Sequence, residues 1–425
     1  MKIVVVAYAC EPGKGSEPGA GWGWVRMIAR MHETYVITRS NNRDVIEAAL
    51  ERLPEESNLH FVYTDLPPWA RSWKRGMRGM RLYSLLWQVG AAIAVRKLQR
   101  EQGVQLVWHL TIANAALGSI IPLGGGPFVY GPVGGTLGPP AGLLTSLGWR
   151  GIAVEIARAV IRTVGRTVNP FARVAWSQAS LILVQNHETR QWLPRRHRGK
   201  TIVLQHAILE EAPHEGRAAG RSPSRAVFVG RLIAWKGAHL AVQTVAKTKG
   251  WHLLVCGSGP EEQRLEQIVR GLGIEDRVRL LGQQSRDEVL RLMQQEADVL
   301  LFPSLHDDAP LAVVEALACS LPVVCIDRGG PPILVGDAGI AVQPTSVEQV
   351  IEDLAAALDS ASTLRRHARE RGLEFTLARR LETVRRVLSE AAERGLVTAE
   401  FAVPADLPTP LPAADGRRDV PVEGN

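Results

Sequence analysis

Trp251-His252-Leu253-Leu254-Val255-Cys256 runs into Gly257-Ser258-Gly259-Pro260, and a helical pattern from Glu261 to Leu272 follows. A short, largely apolar run reads as a strand covered on both faces, and the Gly/Pro break turns the chain into a helix. The unit repeats in both directions. Downstream lie Val278-Arg279-Leu280-Leu281, Asp298-Val299-Leu300-Leu301-Phe302 and Pro322-Val323-Val324-Cys325-Ile326. Upstream lies Ala226-Val227-Phe228-Val229, ending in Gly230-Arg231, with a helical stretch from His239 to Lys247. The first half carries its own set: Ile3-Val4-Val5-Val6-Ala7, a Gly-rich turn from Gly13 to Gly21, a helix from about Trp22 to Met31, then Tyr35-Val36-Ile37-Thr38, with Leu106-Val107-Trp108 and Leu181-Ile182-Leu183-Val184 further on. Alternating strands and helices predict α/β architecture, with two Rossmann-like, doubly wound domains facing each other across a cleft. The polar stretch Glu210 to Ser224 reads as the linker between a first domain, 1–207, and a second, 222–375. Residues 376–396 carry apolar positions at helical spacing, and 401–425, rich in Pro, Ala, Asp and Gly, are expected to be a disordered tail.

Composition narrows the class. The 425 residues are 46% hydrophobic and 22% charged, which excludes a disordered or fibrous chain. Cys10, Cys256, Cys319 and Cys325 are too scattered for a disulfide framework, and none forms a C-x-x-C pair. They fit buried thiols in a reducing, cytoplasmic setting. Glu11 and Lys14 interrupt the opening apolar run too early for a signal peptide. From Gln102 to Trp149 there is no Asp, Glu, Lys or Arg, but eleven Gly and five Pro argue against a spanning helix. That stretch reads as buried strands and Gly-rich loops beside a binding cleft.

Charge is unevenly spread. Before residue 206 there are 25 basic and 12 acidic residues; after it, 25 and 31. Residues 66–100 hold Arg71, Lys74, Arg75, Arg78, Arg81, Arg96, Lys97 and Arg100 without one acid, interleaved with Trp69, Trp73, Met77, Met80 and Trp87. Residues 158–200 hold nine Arg or Lys against Glu188. Cations mixed with Trp, Met and Leu suit an anionic membrane surface. A solvated helix face fits the same pattern. Nucleic acid, for which no motif accompanies the charge, is not expected as a partner.

Two clusters could do chemistry. Arg231 and Lys236 stand five apart in Gly230-Arg231-Leu232-Ile233-Ala234-Trp235-Lys236-Gly237, on a strand-to-helix loop where open α/β sheets bind ligands. An Arg for bidentate oxygens and a Lys as a point charge suit a phosphorylated ligand, although a loop pair of this kind is also common on solvated surfaces. Asp307 and Glu315 stand eight apart in Ser304-Leu305-His306-Asp307-Asp308-Ala309-Pro310-Leu311-Ala312-Val313-Val314-Glu315. Pro310 fits the start of a helix. Glu315 then lies within an apolar helix, where a carboxylate is costly unless hydrogen-bonded, and vicinal sugar hydroxyls would serve.

These residues carry a resemblance. The second half resembles the retaining family-four (group 1) glycosyltransferases, which have the GT-B fold, through G-R-L-x-x-W-K-G at Gly230 to Gly237, C-G-S-G-P at Cys256 to Pro260, the Asp307/Glu315 pair, E-A-L-A-C-x-x-P-V-V from Glu315 to Val324, and Gly329-Gly330-Pro331. The first half resembles them more weakly, through its Gly loop and His109. The resemblance implies that Arg231 and Lys236 clamp the diphosphate of a nucleotide-sugar donor and that Glu315 holds the ribose hydroxyls. It implies that Asp307 sits near the donor sugar, and that Gly19 and Gly21 let backbone approach donor and acceptor. Gly257, Ala309 and Leu311 belong to the substrate-binding loops, His109 lies by the reacting sugar, and the 376–396 helix crosses back to the first domain. Asp307 stands where the family usually has Glu, and Ala309-Pro310-Leu311 where it has Gly-Phe-Gly. No cofactor is expected, and the lack of Asp-x-Asp fits metal independence. The implied partners are a nucleotide-sugar and a lipid-linked or oligosaccharide acceptor at the inner membrane face, in polysaccharide or cell-envelope synthesis. A sugar-nucleotide epimerase and a non-catalytic nucleotide-sugar-binding relative remain open beside the transferase.

Overall fold

A computed structural model describes residues 1–53, 56–70, 79–216 and 223–402. The strands form two all-parallel sheets. The first holds β1 (Lys2–Ala7), β2 (Glu33–Arg39), β3 (Leu59–Thr64), β4 (Leu106–Thr111), β5 (Phe128–Val133), β6 (Leu181–Val184) and β7 (Thr201–Val203), in the order β3-β2-β1-β4-β5-β6-β7. The second holds β8 (Ser224–Val229), β9 (Trp251–Cys256), β10 (Val278–Gly282), β11 (Val299–Phe302), β12 (Val323–Ile326) and β13 (Gly339–Val342), in the order β10-β9-β8-β11-β12-β13. Every residue of β4, β5 and β6 is buried, as expected of strands with helices on both faces.

Each order reverses direction once, between β1 and β4 and between β8 and β11. The loops leaving the carboxyl ends of these strands diverge to opposite faces and leave a crevice. The two crevices face one another, and the site is built there.

Two helices tie the lobes together. Leu377–Glu393 follows the second sheet in sequence but buries Leu377, Val384, Leu388 and Ala391 in the first lobe's core, beside the helix Ser16–Ala29. The two passages between lobes run side by side there. Leu209 N–H donates to the Phe375 carbonyl and Leu377 N–H to the Leu209 carbonyl, each at 2.8 Å. The second tie is the helix Gly148–Thr167, the bridging helix. Residues leading into it, Leu143, Leu144 and Leu147, pack with Ile152 into the second lobe's core, although they precede β6. Its other end packs on the first lobe, with Gly165 against Ala116. Residues 141–152 therefore lie across the division at 207.

The tail departs from expectation at its start. Phe401 and Ala402 close a short helix, Ala399–Ala402, and are buried in the first core. Phe401 stacks on His32 at 5.2 Å and meets Trp108 edge-on at 5.8 Å, while its carbonyl bonds the His32 ring at 3.0 Å. An aromatic ring that fills a core cavity orders its segment whatever the flanking composition. Residues 403–425, and Arg71, Lys74, Arg75 and Arg78 of the basic run, lie outside the described residues.

Leu388, on the helix Leu377–Glu393 (the return helix), is fully buried against the first lobe. Leu388→Ala is expected to lower stability by about 2–5 kcal/mol, read as a lower denaturation midpoint in guanidinium. An unchanged midpoint would show that this helix adds nothing to the first core.

Candidate active site

Three adjoining cavities of about 310, 180 and 250 Å³ run along the interlobe cleft. Glu17, Asp307 and Asp308 line both the first and second, and Leu311 lines both the second and third. In the first, Arg231 and Lys236 from the loop after β8 face Glu17 and Asn114 from the first lobe and Arg158 and Arg162 from the bridging helix. Four cations thus stand over an acidic floor, a lining that selects an anionic ligand carrying hydrogen-bonding groups.

Arg231 is exposed to the cavity. Lys236 ends a short 3-10 turn, Ala234–Lys236, and its ammonium is ion-paired with the Asp307 carboxylate. Asp307 thus orients the lysine that a phosphate would contact.

Asp308 reaches across the cleft. Its carboxylate accepts from the Gly135 N–H at 2.7 Å and from Asn186 Nδ2 at 3.0 Å, both in the first lobe. Glu17, in the first turn of the helix Ser16–Ala29, accepts from the Ile112 N–H at 2.5 Å. Burial pushes the Glu17 and Asp308 carboxyls above the usual carboxylate range; their backbone hydrogen bonds oppose this, and Asp308 raises Glu17 further by its charge.

Glu315 is the fifth residue of the helix Leu311–Ala318 and is 7% exposed. Arg286 Nε donates to its Oε1 at 2.7 Å. Burial raises the Glu315 carboxyl and Arg286 opposes this. Arg286 and Leu311 line the third cavity together with Gly19. Arg231 and Arg286 therefore stand toward opposite ends of one run of adjoining cavities, and Glu315 itself lines none of the three but is reached through Arg286. Ala309 and Leu311 both line the second.

His109, Gly21 and Gly257 line none of the three cavities. His109 lies within β4, paired between Val6 and Tyr130, and is 1% exposed. Its Nδ1 bonds Ser119 Oγ at 2.8 Å, and burial lowers its pKa to about 4. It is a neutral core histidine within the sheet rather than at its carboxyl edge, and it lines none of the three cleft cavities. Gly19 and Gly21 are in the helix Ser16–Ala29, which begins six residues before Trp22, and not in a loop. A Cβ on Gly21 would stand 2.1 Å from the Ala9 carbonyl, so this glycine serves helix packing. Gly257, at φ +148°, is buried where a Cβ would meet the Gly230 carbonyl at 1.9 Å. It lets the ends of β8 and β9 approach and supports the Arg231 loop from behind.

Sequence reasoning passed over Glu17, Asn114, Arg158, Arg162, Arg286 and Asp308. Glu17 and Asn114 sit in segments read for their glycines, and the two arginines in a run read as membrane-facing. Asp308 was overshadowed by the eight-residue spacing of its neighbour. A signal existed in the doubled acid at the end of a predicted strand.

A polar lock closes one side of the cleft. Glu155 on the bridging helix accepts from Arg158 at 2.9 Å and meets His306 Nε2 of the second lobe at 3.1 Å. His306 stacks on Trp235 with ring planes 9° apart, and the Arg158 guanidinium lies 3.8 Å from the Trp235 ring centre. Burial raises the Glu155 carboxyl, but His306 and Arg158 outweigh it and hold it below the usual glutamate range. A depressed carboxylate contributes stability above its unfolded pKa of about 4.3 and loses it as pH falls through the folded value. Glu155→Gln is expected to cost about 1–3 kcal/mol at pH 7, and its deficit against the parent should shrink below about pH 4. A deficit constant across the pH series would exclude this ionised pair.

Comparison with known proteins agrees with this frame. Residues 214–375 match the family described as glycosyl transferases group 1. The chain is 31% identical over 195 residues to an exopolysaccharide phosphotransferase of Streptomyces coelicolor, covering 43% of this chain and 20% of that protein. It is 32% identical over 166 residues to a D-inositol 3-phosphate glycosyltransferase of Mycolicibacterium smegmatis, covering 37% and 38%. The matches thus span well under two thirds of either relative. Among solved structures, Anabaena HepE in complex with UDP and glucose aligns with a TM-score of 0.58 at 17% identity, covering 92% of this chain and 100% of that one. A sucrose-phosphate synthase from Thermosynechococcus elongatus aligns with a TM-score of 0.60 at 18% identity, covering 92% and 99%.

Proposed function

With residues 214–375 forming a glycosyl transferases group 1 domain within a two-lobed GT-B chain, we propose that this protein transfers a sugar from a nucleotide-sugar to a lipid-linked or polysaccharide acceptor. The observation that carries the reading is the placing of Arg231 and Lys236 at one end of a run of cavities and of Arg286, which is bonded to Glu315, at the other. In this reading the donor diphosphate takes Arg231 bidentately and displaces Asp307 from part of the Lys236 ammonium. The Glu315 carboxylate, already oriented by Arg286, accepts from the ribose hydroxyls. Asp307, once released, is available to the hydroxyls of the donor sugar.

Breaking the anomeric C–O bond leaves negative charge on the diphosphate. Arg231 and Lys236 meet that charge as it develops, which lowers the barrier without reorganisation at the moment of reaction. The acceptor hydroxyl attacks from the same face, and its proton passes to the departing phosphate oxygen, giving retention. Glu17 orients the acceptor from the opposite wall, and Asp308 from the loop after β11. His109 supports the sheet and takes no direct part. The exopolysaccharide and inositol phosphate relatives, as named, point toward carbohydrate assembly. The cation-rich first half suits work against the cytoplasmic face of an anionic membrane.

The test supplies labelled nucleotide-sugars with a membrane extract. Label on lipid or polymer supports the transferase. An isomerised donor would establish the epimerase instead, and binding without turnover a non-catalytic relative. Arg231→Ala is expected to lower kcat/KM by about 10²-fold or more, and near-normal turnover would remove the diphosphate clamp. Glu315→Gln is expected to raise the donor KM by about 10- to 100-fold with a smaller change in kcat. An unchanged KM would take the ribose contact away from Glu315.

A further inference from the structure

The bridging helix carries a surface that cleft chemistry does not use. Among residues 148–168 the charged side chains are Arg150, Glu155, Arg158, Arg162 and Arg166, and Glu155 is buried. Its outward face is hydrocarbon. Trp149 is 76% exposed, Ile156 61% and Val160 57%. Ala157, Val160, Ile161, Val164 and Val168 fall at helical spacing on one side and are exposed. Val160, Ile161, Val164 and Val168 line an open groove of about 410 Å³ whose floor is Ala116 and Leu117. A second stripe, Leu82, Leu86, Val89 and Ile93 of the helix Met80–Gln102, is also exposed. That helix and Pro170–Gln178, which follows the bridging helix, bury side chains in the same core layer of the first sheet. The short turn Ile121–Gly124, with exposed Leu123, contacts both. So broad an apolar face is unusual for a protein that keeps all its surface in water.

The groove is continuous with the cleft. Ala116, Leu117 and Ile161 line both the groove and the cationic cavity. Arg158 and Arg162 stand on the cavity side, so lining chemistry changes from guanidinium to hydrocarbon within about one helical turn. One carboxylate, Glu155, serves both arginines, at 2.9 and 3.7 Å, so the pair keeps net positive charge. Arg150, Arg166 and Arg173 are exposed along the rim of the apolar face.

We propose that the acceptor is a phosphate-headed lipid, its anionic head held at Arg158 and Arg162 and its hydrocarbon chain laid in the groove along Val160, Val164 and Val168. This rests on reading the cleft as a sugar-transfer site, and it selects the lipid over the soluble polysaccharide. The groove sets the reach. A hydroxyl on a sugar attached to the head points toward the donor cavity, while the tail runs past Val168 at the far end of the bridging helix.

The experiment uses the full chain, dodecyl phosphate below its micellar concentration and ethyl phosphate, with binding followed by titration calorimetry. Dodecyl phosphate is expected to bind at least about tenfold more tightly than ethyl phosphate, because each buried methylene adds affinity. The double variant Val164→Asp, Val168→Asp should erase that ratio. Both valines are exposed, so nucleoside diphosphate binding should be unchanged and shows that the variant is folded. Equal binding of the two phosphates, or a variant that keeps the ratio, overturns the proposal. Dodecyl maltoside binding as tightly as dodecyl phosphate overturns the assigned head site. A concentration-dependent dimer that the variant abolishes gives the face to a second copy and also overturns it. Loss of nucleoside diphosphate binding by the parent protein would instead count against the transferase reading itself.

Discussion

A carboxylate removed from water must find donors, and Asp308 finds its donors on the other lobe. The Gly135 N–H and Asn186 amide hold it from across the cleft, while its neighbour Asp307 holds Lys236 on its own side. Two successive acids therefore fix two things at once, the separation of the lobes and the orientation of the cation offered to the ligand. The loop carrying them is held by backbone as well. Gly330 N–H donates to the Asp307 carbonyl at 2.8 Å, and a Cβ on Gly330 would collide with the Asp308 carbonyl at 1.7 Å. The Gly329-Gly330 pair makes room for a loop that must pass this close.

The same economy governs the hinge and the strut. At one end of the cleft, Leu209 and the 375–377 segment are bonded side by side, so the two connections bend as one. At the other, the bridging helix is anchored by hydrocarbon in the second lobe and by a close backbone approach at Gly165 in the first. The Glu155–His306–Arg158 group sits midway along it. Opening the cleft stretches that polar group before it disturbs either anchor, since polar contacts can be exchanged for water and buried leucines cannot.

Much of the frame was legible in the sequence because strands buried on both faces have an unmistakable composition. Leu181-Ile182-Leu183-Val184 and Trp251 to Cys256 match their observed limits residue for residue. The strands that escaped notice are those whose surroundings blur that signal. β3 is an edge strand with polar positions, β7 has three residues, β5 contains Gly131-Pro132, which reads as a turn, and β13 is a four-residue edge strand with only Val342 buried. Site residues followed the same logic. Arg231 and Lys236 declare themselves by spacing on one loop, and Asp307 and Glu315 on another stretch of chain. Glu17, Asn114, Arg158 and Arg286 come together only through the packing of two sheets, and spacing along the chain holds no trace of that. His109 was misplaced for a local reason: a strand end read three residues early, at Trp108 instead of Thr111, puts a core side chain at the sheet's edge.

The return helix has a bearing on how the protein is made. Leu377, Val384, Leu388 and Phe401 complete a core whose other walls come from the first strands and the helix Ser16–Ala29. During synthesis those walls emerge first, and the whole second lobe must leave the ribosome before the missing wall arrives. The early half of the chain therefore waits, with Trp24, Trp108 and Ile28 uncovered, for the last helix to seal it. Its maturation is tied to completion of translation, so a prematurely terminated product would be left with a permanently open, sticky flank.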